Sequence, residues 1–210
     1  MYKRQTLENV HIEVDTTDAK SGAIEIKGDG DTNLELNGDN TVLVENRWSE
    51  EHAAIEKADA YGKGTLTIKD DVNDNGTAKT GTDEDTTGKL LAGGYHNSAA
   101  IGGGCSGTGK NIRIEGNAHV TAASEDGAGI GGGFGSGNSV TITDDAVVDA
   151  YSAFAAAIGN GDQVGCSNDP TTITISGNAT VHAETRESGC AIGTSRDGSL
   201  SDLTINIEEN

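Results

Sequence analysis

Four segments of the chain, beginning at Leu34, Ile112, Val140 and Ile173, align without a gap for eleven residues: LELNGDNTVLV, IRIEGNAHVTA, VTITDDAVVDA and ITISGNATVHA. The third position is Leu36, Ile114, Ile142 and Ile175, the ninth is Val42, Val120, Val148 and Val181, and the eleventh is Val44, Ala122, Ala150 and Ala183. Within each segment apolar and polar residues alternate, the period of a strand with one buried face, until a cluster of Gly, Asn or Asp interrupts them. Each segment therefore reads as strand, bend, strand. The aligned bend residues Asp39, Asn117, Asp145 and Asn178 are expected where the backbone turns left-handed or is capped by its own side chain.

A third element precedes each pair, with small residues before an isoleucine and often glycines after it: AAIGGG at Ile101, AGIGGG at Ile130, AAIGNG at Ile158 and CAIGTS at Ile192, with earlier relatives at Ile24 and Ile55. Successive isoleucines are 31, 46, 29, 28 and 34 residues apart. Such a period implies stacked units that bury a core only against their neighbours. The expected fold is all-β, a right-handed parallel β-helix (β-solenoid) of six to seven coils with three short strands per coil, on the order of 30 Å long at the spacing of paired strands. Composition agrees. With 33% hydrophobic and 3% aromatic residues the chain lacks bulk for a layered core, whereas a solenoid manages with narrow ladders of Ile, Val and Ala. Small residues before the isoleucine let sheets approach, and the glycines supply corners that a Cβ would obstruct.

Residues 6–210 are expected to form this single domain. The long interval of 46 residues marks an acidic insertion at about residues 69–89, KDDVNDNGTAKTGTDEDTTGK, expected where the second bend and third strand of its coil would otherwise lie. A smaller excursion, ENRWSEEH, carries the one tryptophan. The opening MYKRQ resembles a sequencing-adapter remnant translated at the edge of a metagenomic contig, so residues 1–5 are set aside from the fold and the chain is expected to be a piece of something longer.

A formal net charge of -20 repels polyphosphate, so nucleic acid is excluded as a partner, and the acid excess keeps a repetitive protein soluble and monomeric. No apolar run approaches the length of a membrane span. Three cysteines are too few for a disulfide framework. Cys190 replaces an alanine of the repeat and is expected to be a small buried residue, while Cys105 and Cys166 fall in loops.

The stretch GCSGTGK at residues 104–110 approaches a phosphate-binding loop, but Asn111 stands where Ser or Thr should hold Mg²⁺ and a strand follows instead of a helix. Asp71, Asn73, Asn75 and Gly76 open a calcium-type loop in which alternate oxygens converge on one ion. Thr82 occupies the position of the bidentate acid, leaving Asp83 as the nearest carboxylate to close the site. His119 and His182 are expected on neighbouring outward positions two coils apart, without metal spacing. A polysaccharide lyase or hydrolase would need carboxylates such as Asp144, Asp145 and Asp149 with basic partners, and the acidic field disfavours an anionic sugar. The chain is therefore expected not to be an enzyme. Sugar binding needs only an aromatic face and polar neighbours. Trp48 beside Arg47, together with Tyr95, Phe134 and Tyr151, are the candidates; Tyr61 and Phe154 share the aromatic character.

With AAIGGG, AGIGGG and AAIGNG set beside ITISGNATV, residues 8–207 resemble the repeat regions of surface proteins from Gram-positive gut commensal bacteria, often labelled carbohydrate-binding domain-containing. The resemblance implies a β-helix on a larger, modular chain, extracellular or attached to the cell wall. Its expected role is a non-catalytic surface module, adhesin-like or glycan-binding. Recognition of a host surface protein and a purely structural stalk are the alternatives.

Calcium in the acidic insertion is tested by thermal unfolding with EDTA and then with millimolar Ca²⁺. Binding to the native state alone raises the midpoint, and Asp71→Ala abolishes the rise; an unchanged midpoint removes the site.

Overall fold

The computed structural model describes residues 3–15, 21–45, 52–57, 63–71, 87–135, 138–161, 170–195 and 203–208. Among these the regular elements are all strands, laid down in triplets. The first is β1 (Lys3–Glu8), β2 (His11–Asp15) and β3 (Ile24–Ile26), and the second β4 (Thr32–Asn37), β5 (Asp39–Glu45) and β6 (Ile55–Lys57). The third is β7 (Leu66–Asp70), β8 (Lys89–Gly93) and β9 (Ile101–Gly102), and the fourth β10 (Ile112–Gly116), β11 (His119–Ser124) and β12 (Ile130–Gly131). The fifth is β13 (Ser139–Ile142), β14 (Val147–Ser152) and β15 (Ile158–Gly159), and the sixth β16 (Thr171–Ile175), β17 (Thr180–Thr185) and β18 (Ile192–Gly193), before β19 (Leu203–Ile207).

First members build a seven-stranded sheet A, second members a six-stranded sheet B and third members a six-stranded sheet C. Every pairing is parallel. The chain is thus the expected parallel β-solenoid with three strands per coil. Six strands enclose five stacking steps, so the solenoid rises through about five turns, slightly fewer than the six to seven coils expected. Isoleucine rungs count strands, one more than the steps between them.

Alternate side chains of each strand point inward and stack on their counterparts. Ile24, Ile55, Ile101, Ile130, Ile158 and Ile192 form one continuous ladder in sheet C. Ile55, Ile101, Ile130 and Ile158 are 0% exposed. Each fully buried isoleucine contributes about 1.5–3 kcal/mol. Sheet A supplies Ile68, Ile114 and Ile142 with Ile112, Val140 and Ile173, and sheet B supplies Val120, Val148 and Val181 with Ala122, Ala150 and Ala183, closing one core.

Four expectations are corrected. The eleven-residue alignment holds for the last three segments, but in the first Leu34, not Leu36, is level with Ile114 through Ile68. Likewise Asn40 and Val42 are level with Val120 and Ala122 through Leu90 and Ala92. A slip of two residues returns every side chain to the same face, so alternation alone does not detect it. Second, the left-handed bend residues are Gly38, Gly116, Asp144 and Gly177, at φ 63, 68, 60 and 68°, one position before those expected. The side chains of Asp145 and Asn178 instead bond to each other at 3.0 Å. Third, the acidic insertion leaves between β7 and β8, at the first bend of its coil and not the second, because Leu90 and Ala92 already supply the sheet B rungs. Fourth, Cys190 is exposed. Its counterparts Ala99, Ala128 and Ala156 are covered by the corner of the following triplet, whereas Cys190 stands just before β18, the last strand of sheet C. Residues 3–5, set aside from the fold above, begin β1 and pair with residues 32–34 of β4.

The glycine after the sheet C isoleucine is required twice over. Gly131 has φ 139°, and a Cβ there would lie 2.0 Å from the Gly159 carbonyl oxygen. Gly28 has φ 112° but open space around it. Gly28→Ala should cost about 1–3 kcal/mol in backbone strain alone, and Gly131→Ala should exceed about 4 kcal/mol because two coils must separate as well. Urea unfolding measures both; equal losses would mean that packing between coils adds nothing.

Candidate functional site

The outward positions of sheet B form ladders across the triplets. One runs Asp39, Lys89, His119, Val147, Thr180, and the next runs His11, Thr41, Leu91, Thr121, Asp149, His182. His119 and His182 thus occupy the neighbouring outward ladders expected of them. Between these rows lies an open depression of ≈ 340 Å³ lined by Asp39, Thr41, Lys89, Leu91, His119, Thr121, Val147 and Asp149. Leu91 stands at its centre, 43% exposed, with threonines on the strands either side. Lys89 Nζ pairs with Asp39 Oδ1 at 3.2 Å on the rim. The face therefore offers an apolar step surrounded by hydroxyls, an ammonium, carboxylates and an imidazole.

Tyr151 lies on the same face, on the row beside Asp149 and level with Ala123 and Glu184. Its ring meets His182 edge to face at 5.7 Å, and its hydroxyl is 3.4 Å from His182 Nδ1. Asp149 Oδ1 is 3.6 Å from that same nitrogen. Both groups thus meet the same ring nitrogen of His182. Asp144 and Asp145 sit apart from Asp149, exposed in the bend that follows β13.

Among the described residues, the other expected sugar-binding aromatics, Tyr95 and Phe134, do not join this face. Tyr95, 44% exposed, follows β8 at the corner between sheets B and C, and Phe134 is half-buried in the segment after β12. Phe154 lies exposed at the B–C corner. Arg47, Trp48 and Tyr61 lie outside the described residues, as do Asn73, Asn75 and Asp83 of the expected calcium loop and Cys166.

Asp71 is described, and it stands at the neck of the insertion. Its carboxylate is paired with Lys69, while its backbone N–H donates to Glu35 Oε1 at 2.9 Å. Asp70, fully buried, accepts from Gly88 N at 2.8 Å and ties the two ends of the insertion together. Arg4 and Lys69 face the buried Glu35 at 3.7 and 3.9 Å. Burial pushes the Asp71 carboxyl up, but hydrogen bonds with Lys69 and Glu35 and the charges of Lys69 and Arg4 outweigh it, leaving it below its ordinary 3.8.

Among the described residues two donor clusters lie at or beside the B–C corner, and the sequence reading found neither: Glu25, His52 and Glu56, and His96, Glu125 and Asp126. One signal was available. IEI and IEK stand where later coils read Ile–Gly, which stacks Glu25 on Glu56.

Residues 112–134 and 173–196 each match the family model for the beta helix repeat. These stretches cover β10 to β12 and most of β16 through β18, one coil each. No curated protein and no solved structure matches the chain significantly.

Because Asp71 has its carboxyl lowered in the folded chain, it stabilises the fold above its unfolded pKa, and that contribution disappears as pH falls through the folded one. Wild type should therefore unfold at higher urea than Asp71→Asn at pH 7, with the gap closing below about pH 4. A gap independent of pH would show that the Lys69 pair contributes nothing.

Proposed function

We propose that this chain of beta helix repeats is a right-handed, non-catalytic surface module that binds an extended glycan on the outward face of sheet B. The depression around Leu91 carries this reading. Sugars present apolar C–H faces rimmed by hydroxyls, and Leu91 and Val147 offer the matching apolar patch between Thr41, Thr121, Asp39 and Asp149. Tyr151 and His182 extend the same face toward the sixth triplet.

The net charge of -20 favours a neutral glycan over an anionic one. The open exposure of the face supports binding without chemistry. Extracellular placement on a longer bacterial wall or surface chain follows from the resemblance of the AAIGGG corners, and a rigid solenoid suits presentation away from a surface. The acidic surface also suits a basic patch on a host protein, which makes that the second reading.

A glycan array followed by calorimetry decides between them. A neutral glycan should bind, with Leu91→Ala and Asp149→Ala each lowering affinity about tenfold without lowering the unfolding midpoint. Binding unaffected by both substitutions, or binding to basic proteins only, would sink the glycan reading, and release of sugar products would sink its non-catalytic part.

A further inference from the structure

The two donor clusters of the B–C corner differ in how their charge is met. In the first, Glu25 is paired with Lys27 and accepts from Gly22 N at 3.2 Å, while Glu56 Oε2 is 2.7 Å from His52 Nδ1 and accepts from Ala53 N at 3.2 Å. Nitrogen donors already serve those oxygens. In the second, the ion pairs of Glu125 and Asp126 among the described residues are with His96 alone, whose Nδ1 lies 4.0 Å from Glu125 Oε2 and 3.5 Å from Asp126 Oδ2. Glu125 Oε2 is shut off from solvent and receives no hydrogen bond from the described residues, although the side chain as a whole is 38% exposed. A desolvated carboxylate oxygen without a donor is costly, and a cation relieves that cost.

The backbone holds this second set together. His96 and Glu125 occupy equivalent corner positions in neighbouring triplets, and the amides of Asp126 and Gly127 both donate to the His96 carbonyl at 3.1 Å. The Tyr95 ring packs edge-on against the imidazole, with centroids 4.5 Å apart. The three ligand atoms lie within 4.8 Å of one another.

We propose that His96, Glu125 and Asp126 bind a divalent transition-metal ion of the zinc type. One imidazole nitrogen with two carboxylates suits a borderline ion, whereas calcium takes six to eight oxygens and would not use the nitrogen. Donors held about 2.1 Å from a tetrahedral ion are about 3.4 Å apart, so the two His96 separations need to close by roughly 0.1–0.6 Å. Three protein ligands leave the fourth position to water or to a ligand oxygen. This inference does not depend on the glycan reading.

The test is calorimetric titration of the whole chain with Zn²⁺, and separately with Ca²⁺, on wild type, His96→Gln, Glu125→Gln and the control His52→Gln, with far-UV circular dichroism checking that each is folded. Wild type should bind Zn²⁺ saturably, and His96→Gln and Glu125→Gln should each weaken one equivalent at least tenfold, while His52→Gln leaves that equivalent intact. Absence of saturable Zn²⁺ binding, binding indifferent to both substitutions, or loss in His52→Gln instead would overturn the site. So would Ca²⁺ binding at this corner tighter than Zn²⁺ and indifferent to His96→Gln.

Discussion

Parallel backbone pairing between successive coils is the constraint from which the rest follows. It places each residue of a strand directly beside residues about 30 positions away, at about 4.8 Å, whatever their chemistry. Inside, that neighbourhood rewards identity: an isoleucine fits on an isoleucine, and the sheet C ladder from Ile24 to Ile192 is the outcome. At the tightest corner it admits one residue only. The carbonyl of Gly159 occupies the space a side chain at Gly131 would need, and the same contact recurs between Gly102 and Gly131 and between Gly159 and Gly193.

Outside, the same pairing forces contacts that the core does not choose. In a chain with 34 acidic residues against 14 basic ones, like charges must sometimes face each other across a rung. Glu25 on Glu56 is such a pair, and His52 and Lys27 answer it. At the insertion neck Glu35 and Asp70 are wholly buried, and backbone amides of Asp71 and Gly88 bond to them. Carboxylates fixed in this way close the neck, so an insertion leaves one bend while the ladders above and below keep their register. The insertion also falls between the segment whose rungs sit two residues off the eleven-residue alignment and the segments that keep it.

The architecture was legible because burial imposes a period on the sequence, and a period survives substitution. Ile101, Ile130 and Ile158 announce their rungs in any alignment. Where reading failed, it failed for a physical reason. A period of two cannot distinguish Leu34 from Leu36 as the partner of Ile114, and spacing alone cannot say which bend an insertion leaves. Burial of Cys190 was inferred from its alanine counterparts, although burial there depends on the next corner rather than on the residue itself.

The candidate site was far less legible. Sequence reasoning ranked aromatics, whereas the described residues of the sheet B depression centre on Leu91, which looked like an ordinary member of an alternating strand. Its exposure follows from register: in KLLAG, Leu90 and Ala92 take the two inward rungs, and the leucine between them can only face out. His96, Glu125 and Asp126 were equally hidden, because residues 29 or 30 positions apart carry no local motif. They meet because the corners stack, and stacking is a property of the whole repeat. A solenoid thus builds its outward sites from positions that no single coil encodes, so a site on such a chain is found by reading down the ladders rather than along the strands.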